Sequence, residues 1–219
     1  MSSKKSTQAR TSAAEIVREY GPFPGVEKIN GVTYDGRNVW AAVGANLIAI
    51  DPQSGAMTRT LPRAGDAGTA FDGKHLYQIA EARIDKIDPA TGDVVHSIPA
   101  PAQGKDSGMA WADGSLWVGE YRGRKIHQVD PETGRILRTI ESNRFVTGVT
   151  WVDGELWHGT WEGNESEILR IDADSGAVLD RLQMPPGAGV SGLESDGADL
   201  FYAGGGESGK LRAVRRPKR

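Results

Sequence analysis

His158, Glu120, Glu81 and Glu162 are the side chains of this sequence best suited to move a proton or hold a cation. An imidazole titrates near neutral pH and serves as general base or hydrogen-bond donor. A nearby carboxylate can fix its tautomer, so His158 and Glu120 are the candidate catalytic pair. Glu81, Glu120 and Glu162 occupy comparable stretches of three repeats, and carboxylates brought together raise one another's pKa or bind a cation. Trp161 supplies an aromatic wall for planar or cationic groups. Tyr121, Asn30, Glu81, Arg83, Arg144 and Glu162 complete the candidate substrate-binding set. His75, His96 and His127 are scattered and there is no cysteine, so tightly held zinc is not expected. No cofactor is expected beyond a weakly held calcium or magnesium ion.

The elements that must position these groups are written five times. Residues 146–163, VTGVTWVDGELWHGTWEG, read as two strands joined at Asp153-Gly154. Asp-Gly between apolar runs favours a tight hairpin, because a type I′ turn needs positive φ at both central residues. Copies of the motif open at Gly31, Gly68, Gly108, Gly148 and Gly192, a period of roughly 40 residues that predicts a β-propeller. The fold class expected is therefore all-β: a five-bladed β-propeller of four-stranded blades, a single domain over residues 15–219.

Each repeat holds four strand-like runs. The second runs are 39–42, 76–79, 116–120, 156–161 and 200–203; the fourth are 57–61, 94–98, 136–140 and 178–182. The fifth repeat lacks a fourth run, and residues 15–20 resemble one, so this segment is expected to complete blade five and close the ring. A short helix over 12–19 is the alternative. Residues 1–14 are polar and are expected to be a mobile tail.

Strand direction sorts the connections onto two faces. The first-to-second and third-to-fourth turns are short and alike; the second-to-third loops and blade links vary, so a site is expected at the centre of the variable face. Asn30, Glu81, Arg83, Asp106, Ser107, Glu120, Tyr121, Arg144, Thr147, His158, Trp161, Glu162 and Ser191 are expected nearest the axis there. Trp40, Trp111, Trp117, Trp151 and Trp157 recur at regular strand positions and are read as packing between blades.

Twenty-six basic against 29 acidic residues leave a net charge of −3, which disfavours a nucleic-acid partner. No apolar run is long enough to span a membrane, and no secretory leader is evident, so a cytoplasmic monomer is expected.

The repeats resemble the plant-type glutamine cyclotransferases. The likeness rests on Gly31, Val39-Trp40 and Ile50-Asp-Pro-Gln-Ser-Gly55, on Leu76-Tyr-Gln-Ile79, and on Trp151-Val-Asp-Gly-Glu-Leu-Trp-His-Gly-Thr-Trp161. The resemblance covers residues 25–214 and implies a five-bladed propeller with a central site. It also implies a catalytic glutamate at the position that Ala41 holds here, a glutamine at Asn30, an asparagine near Thr147, a retained aromatic at Trp161, and a lysine near Gly204–Gly206. With alanine at 41, the expected function is an enzyme of transferase or lyase type, diverged from glutamine cyclisation, acting on a small polar or amino-containing molecule. A non-catalytic propeller that binds a ligand or protein is the alternative, and a lactonase- or lyase-type propeller with a divalent ion a further one.

Overall fold

The computed structural model describes residues 9–218. They form five blades around one axis, with 21 strands and no helix among the described residues. None is therefore a helix long and apolar enough to cross a membrane. Blade one comprises β3 (Gly31–Tyr34), β4 (Val39–Ala42), β5 (Leu47–Ile50) and β6 (Met57–Leu61), in order from axis to rim. Blade two comprises β7 (Thr69–Phe71), β8 (Leu76–Ala80), β9 (Arg83–Ile87) and β10 (Val94–Pro99). Blade three comprises β11 (Asp106–Ala112), β12 (Ser115–Glu120), β13 (Lys125–Val129) and β14 (Ile136–Glu141). Blade four comprises β15 (Val149–Val152), β16 (Glu155–Glu162), β17 (Glu165–Ile171) and β18 (Val178–Gln183).

Blade five joins the two ends of the chain. Its inner strands are β19 (Gly192–Ser195), β20 (Leu200–Gly204) and β21 (Leu211–Arg215), and its outer strand is β2 (Ile16–Tyr20). β2 pairs antiparallel with β21, Tyr20 opposite Leu211. The expected strand over 15–20 is thus found and the alternative helix is not. A strand there satisfies the edge of β21, which a helix would leave open.

The expected mobile tail is corrected in part. Residues 1–8 lie outside the described ones, but β1 (Arg10–Ala13) is a strand, paired parallel with β18 as a fifth strand on blade four. Its side chains are exposed, so no hydrophobic pattern announces it. The open edge of β18 and an ion pair from Arg10 to Asp180 at 3.2 Å hold it.

The opening glycines explain how five sheets meet at one axis. A Cβ on Gly31 would strike Ala67 and Gly68; on Gly108, Thr147 and Gly148; on Gly192, Gly31 and Val32. Each innermost strand thus lies backbone to backbone against the next, which only glycine permits.

Further out, aromatic rings seal the seams. Tyr77 stacks on Trp111 at 5.5 Å, Trp117 on Trp151 at 4.8 Å, and Tyr202 meets Tyr34 at 5.6 Å. Trp40 packs in one cluster with Phe71. At the seam between blades four and five the matching inner residue is Ser195, and Trp157 instead meets Phe201 at 5.0 Å. Such a pair contributes about 0.5–1.5 kcal/mol beyond its buried area. The tryptophan series is therefore interblade packing, as expected.

The turns hold the blades in register. Asp113-Gly114 and Asp153-Gly154 both have positive φ, as a two-residue type I′ turn requires. Asp35 and Asp72 instead cap longer turns with their carboxylates, and each also accepts a hydrogen bond from the aromatic of the second strand, Trp40 Nε1 at 2.7 Å and Tyr77 OH at 3.2 Å.

Candidate functional site

A cavity of about 350 Å³ opens at the centre of the variable face. Asn30, Ala67, Ser107, Thr147 and Ser191, each immediately before an opening glycine, form its fivefold ring. Asp66, Asp106, Tyr121 and Trp161 complete the lining, and none of these nine residues is basic.

Backbone geometry accounts for each contribution. The residue before an opening glycine leads the chain into the innermost strand and so lies at the axis. Two positions before that glycine, blades one, four and five bury Ile29, Val146 and Val190, whereas blades two and three carry Asp66 and Asp106. The aromatics come from one repeat position as well: the residue four after the seam aromatic is Tyr121 in blade three and Trp161 in blade four.

The lining is held by hydrogen bonds that leave polar atoms for a ligand. Tyr121 OH donates to Trp161 O at 3.0 Å, and Trp161 Nε1 to Gly163 O at 3.1 Å, which orients both rings. Asn30 Nδ2 donates to Gly65 O at 2.9 Å, and Ser107 Oγ to Val146 O at 2.8 Å. Asp66 accepts from the Glu81 amide at 2.9 Å. Asp106 accepts from the amides of Ala102 at 2.9 Å and Gly104 at 3.1 Å. Burial raises the Asp106 carboxyl above its ordinary range, against the pull of those two amides.

Of the residues expected at the site, Asn30, Asp106, Ser107, Tyr121, Thr147, Trp161 and Ser191 line this cavity. His158 does not. Its ring is fully buried; Nδ1 lies 2.7 Å from Gly159 O and Nε2 3.0 Å from Ser142 Oγ. The position is that of Ala41, Gln78, Val118 and Ala203 in the other repeats, all buried between sheets. Burial lowers the His158 pKa to about 4, so the ring is neutral and donates Nδ1–H to Gly159. Glu120 is not its partner: the Glu120 carboxylate lies 3.4 Å from His127 Nε2, and His127 Nδ1 meets Thr139 Oγ1 at 2.9 Å.

The expected convergence of carboxylates is likewise absent. Glu81 is exposed and pairs with Arg83 at 3.3 Å, and Arg83 also meets Asp85 at 3.0 Å. Glu162 accepts from the Phe145 amide at 2.7 Å and pairs with Arg144 at 3.2 Å. Burial works to raise the Glu162 carboxyl, but that amide and the Arg144 charge outweigh it and hold the pKa low. Each carboxylate found its own nearby donor, so no group of three metal-ligating side chains forms among the described residues.

Two acids escaped the sequence reading. Asp66 could have been found from its place two residues before an opening glycine, shared with Asp106. Glu194 stands two residues after one, where the other repeats carry Thr33, Ala70, Ala110 and Thr150. It lies between blades: Oε2 accepts from Thr33 Oγ1 at 3.0 Å, and Oε1 from Thr150 Oγ1 at 2.5 Å and Ser195 N at 2.9 Å. Protein encloses this carboxyl, and the desolvation raises its pKa to about 7. The residue as a whole is partly exposed.

Comparison with known proteins agrees with this architecture. Residues 80–218 match the family model PQQ_2, described as outer membrane protein assembly factor BamB. No curated protein sequence matches the chain. Among solved structures, glutaminyl cyclase of Myxococcus xanthus superposes with a TM-score of 0.76 at 16% identity, covering 95% of this chain and 98% of that one. A chain of the mitotic checkpoint complex gives 0.59 at 13% identity, covering 100% and 96%. Virginiamycin B lyase of Staphylococcus aureus gives 0.52 at 17% identity, covering 91% and 70%. At these identities the likeness is one of fold.

Proposed function

Starting from a chain that belongs to the PQQ_2 family of repeats, we propose that it is a binding propeller whose central pocket takes a small amine-bearing molecule. The observation that carries this reading is the lining itself: two carboxylates, Asp66 and Asp106, beside two aromatic residues, Trp161 and Tyr121, with no basic residue among them. A cation between an aromatic face and a carboxylate gains from the ring quadrupole and from a charge-assisted hydrogen bond. The hydroxyls of Ser107, Thr147 and Ser191 and the Asn30 amide supply neutral partners around it.

Glutamine cyclisation through residue 41 is not part of the proposal. Ala41 is fully buried and its methyl group cannot carry a proton.

The test is titration of the protein with phenethylamine and choline, followed by tryptophan fluorescence. Trp161→Ala is expected to weaken binding about 3- to 30-fold, the range of a cation–π contact, without lowering the melting temperature. Asp106→Asn is expected to weaken it further. Absence of amine binding to the parent, or equal binding by both variants, would overturn the reading.

A further inference from the structure

Beside the carboxylate-lined pocket lies a set of cations without ion-pair partners. Lys105 directly precedes Asp106, and Arg122 directly follows Tyr121, so both flank residues that line the cavity. Their backbones meet, since Tyr121 N donates to Lys105 O at 3.3 Å. Arg124 belongs to the same loop: its amide donates to Tyr121 O at 3.3 Å, and its guanidinium lies 5.0 Å from the centre of the Phe145 ring. That ring in turn meets Tyr121 edge-on at 5.0 Å, which ties the cation to the aromatic wall.

Several other cations of this face have carboxylate partners. Arg83 pairs with Glu81 and Asp85, Arg144 with Glu162 and Glu167, and Lys28 with Glu207. Lys105, Arg122 and Arg124 are exposed and form no ion pair within 4.0 Å among the described residues. The nearby acids are otherwise engaged. Glu120 lies against Gly123 with its carboxylate on His127 Nε2 and forms no ion pair with Arg122 or Arg124, and Glu162 is held by Arg144 and the Phe145 amide, with Arg124 adding only a longer-range pull. In a chain of net charge −3, three cations without ion pairs thus stand on backbone that adjoins the pocket-lining Asp106 and Tyr121, and together they make a local positive field.

We infer that the ligand of the central pocket carries an anionic group besides its amine, and that Lys105, Arg122 and Arg124 receive it. This rests on the amine reading of the pocket and adds the second half of the ligand. A purely anionic molecule would be repelled by Asp66 and Asp106, and a purely cationic one would leave Lys105, Arg122 and Arg124 unused. A phosphate or a carboxylate on a short arm satisfies both ends. The cation set thus selects among amines, while the pocket selects for them.

The experiment compares short aminoalkyl phosphates and ω-amino carboxylates with the corresponding amino alcohols, by calorimetry. The anionic probes are expected to bind about ten-fold tighter at low salt, the combined effect of a few exposed charge pairs, and this advantage should shrink as ionic strength rises. In the double variant Lys105→Ala, Arg122→Ala the ratio of the two affinities should fall toward one. If the amino alcohols bind and the anionic probes bind no better, or if the ratio survives in the double variant, the inference fails and the pocket reading stands. If no amine binds, both fail. Inorganic phosphate alone is expected to bind more weakly than any aminoalkyl phosphate; equal affinity would show that the cation set acts apart from the pocket and would overturn the inference.

Discussion

Replacing Glu194 with glutamine removes one charge from the axis and keeps its shape. The amide oxygen can accept from Thr150 and Ser195 as the carboxylate does, and the amide nitrogen can donate to Thr33 Oγ1. In the parent, the Glu194 pKa is raised from 4.5 to about 7 in the folded chain. A raised pKa means that the folded state holds the proton more tightly than the unfolded one. Its stabilisation is therefore complete below pH 4.5 and is lost as pH rises through about 7. The shift corresponds to about 3 kcal/mol at most, reduced to about 1–2 kcal/mol because the residue is only partly shielded from solvent. His158 acts in the opposite sense. Its folded pKa lies at about 4 against 6.5, so unfolding takes up a proton and stability falls as pH drops from 6.5 toward 4. Over pH 4.5–6.5 the two contributions have opposite signs, so Glu194 dampens the pH dependence that His158 imposes on the parent. Glu194→Gln exposes the histidine term: the variant should match the parent near pH 4.5, and exceed it by about 1–2 kcal/mol above pH 8. Urea unfolding followed by tryptophan fluorescence across pH 4.5 to 8.5 measures this difference directly. Parallel stability–pH curves for parent and variant would refute the placement of a buried, proton-retaining carboxyl at the axis.

Two further outcomes follow from the ring. Deleting residues 1–14 removes β1, whose side chains are exposed, and should cost about 1 kcal/mol, whereas deleting 1–20 also strips β2 from β21 and should abolish the cooperative thermal transition; equal melting temperatures for the two truncations would contradict ring closure by β2. Trp117→Ala empties the stacked seam with Trp151 and should lower stability by about 3–5 kcal/mol in chemical denaturation, far more than Trp161→Ala at the half-buried pocket wall; comparable losses would mean that Trp161 is packing.

Much of the scaffold was legible because its signals are local. A glycine at the start of each repeat, an Asp-Gly turn after the first strand and an aromatic in the second strand each constrain the chain within a few residues of themselves. Repeating them five times specifies which face varies and which residues stand at the axis, so Asn30, Ser107, Thr147, Ser191, Tyr121 and Trp161 could be placed from order alone. What lay beyond the sequence was lateral. His158 and Glu120 both sit on second strands, but in different blades. Glu120 instead meets His127, which lies diagonally across one strand pair, where Glu120 opposes Lys125 and His127 opposes Val118. β1 carries no hydrophobic face, and only the open edge of β18, brought near through ring closure, makes it a strand. Glu194 finds Thr33 and Thr150 on two neighbouring blades, 161 and 44 residues away. Turns and periodicity act through the covalent neighbourhood and can be read along the chain; charge pairing, edge addition and burial depend on distances of a few ångströms between segments far apart in sequence, and those distances exist only once the ring has closed.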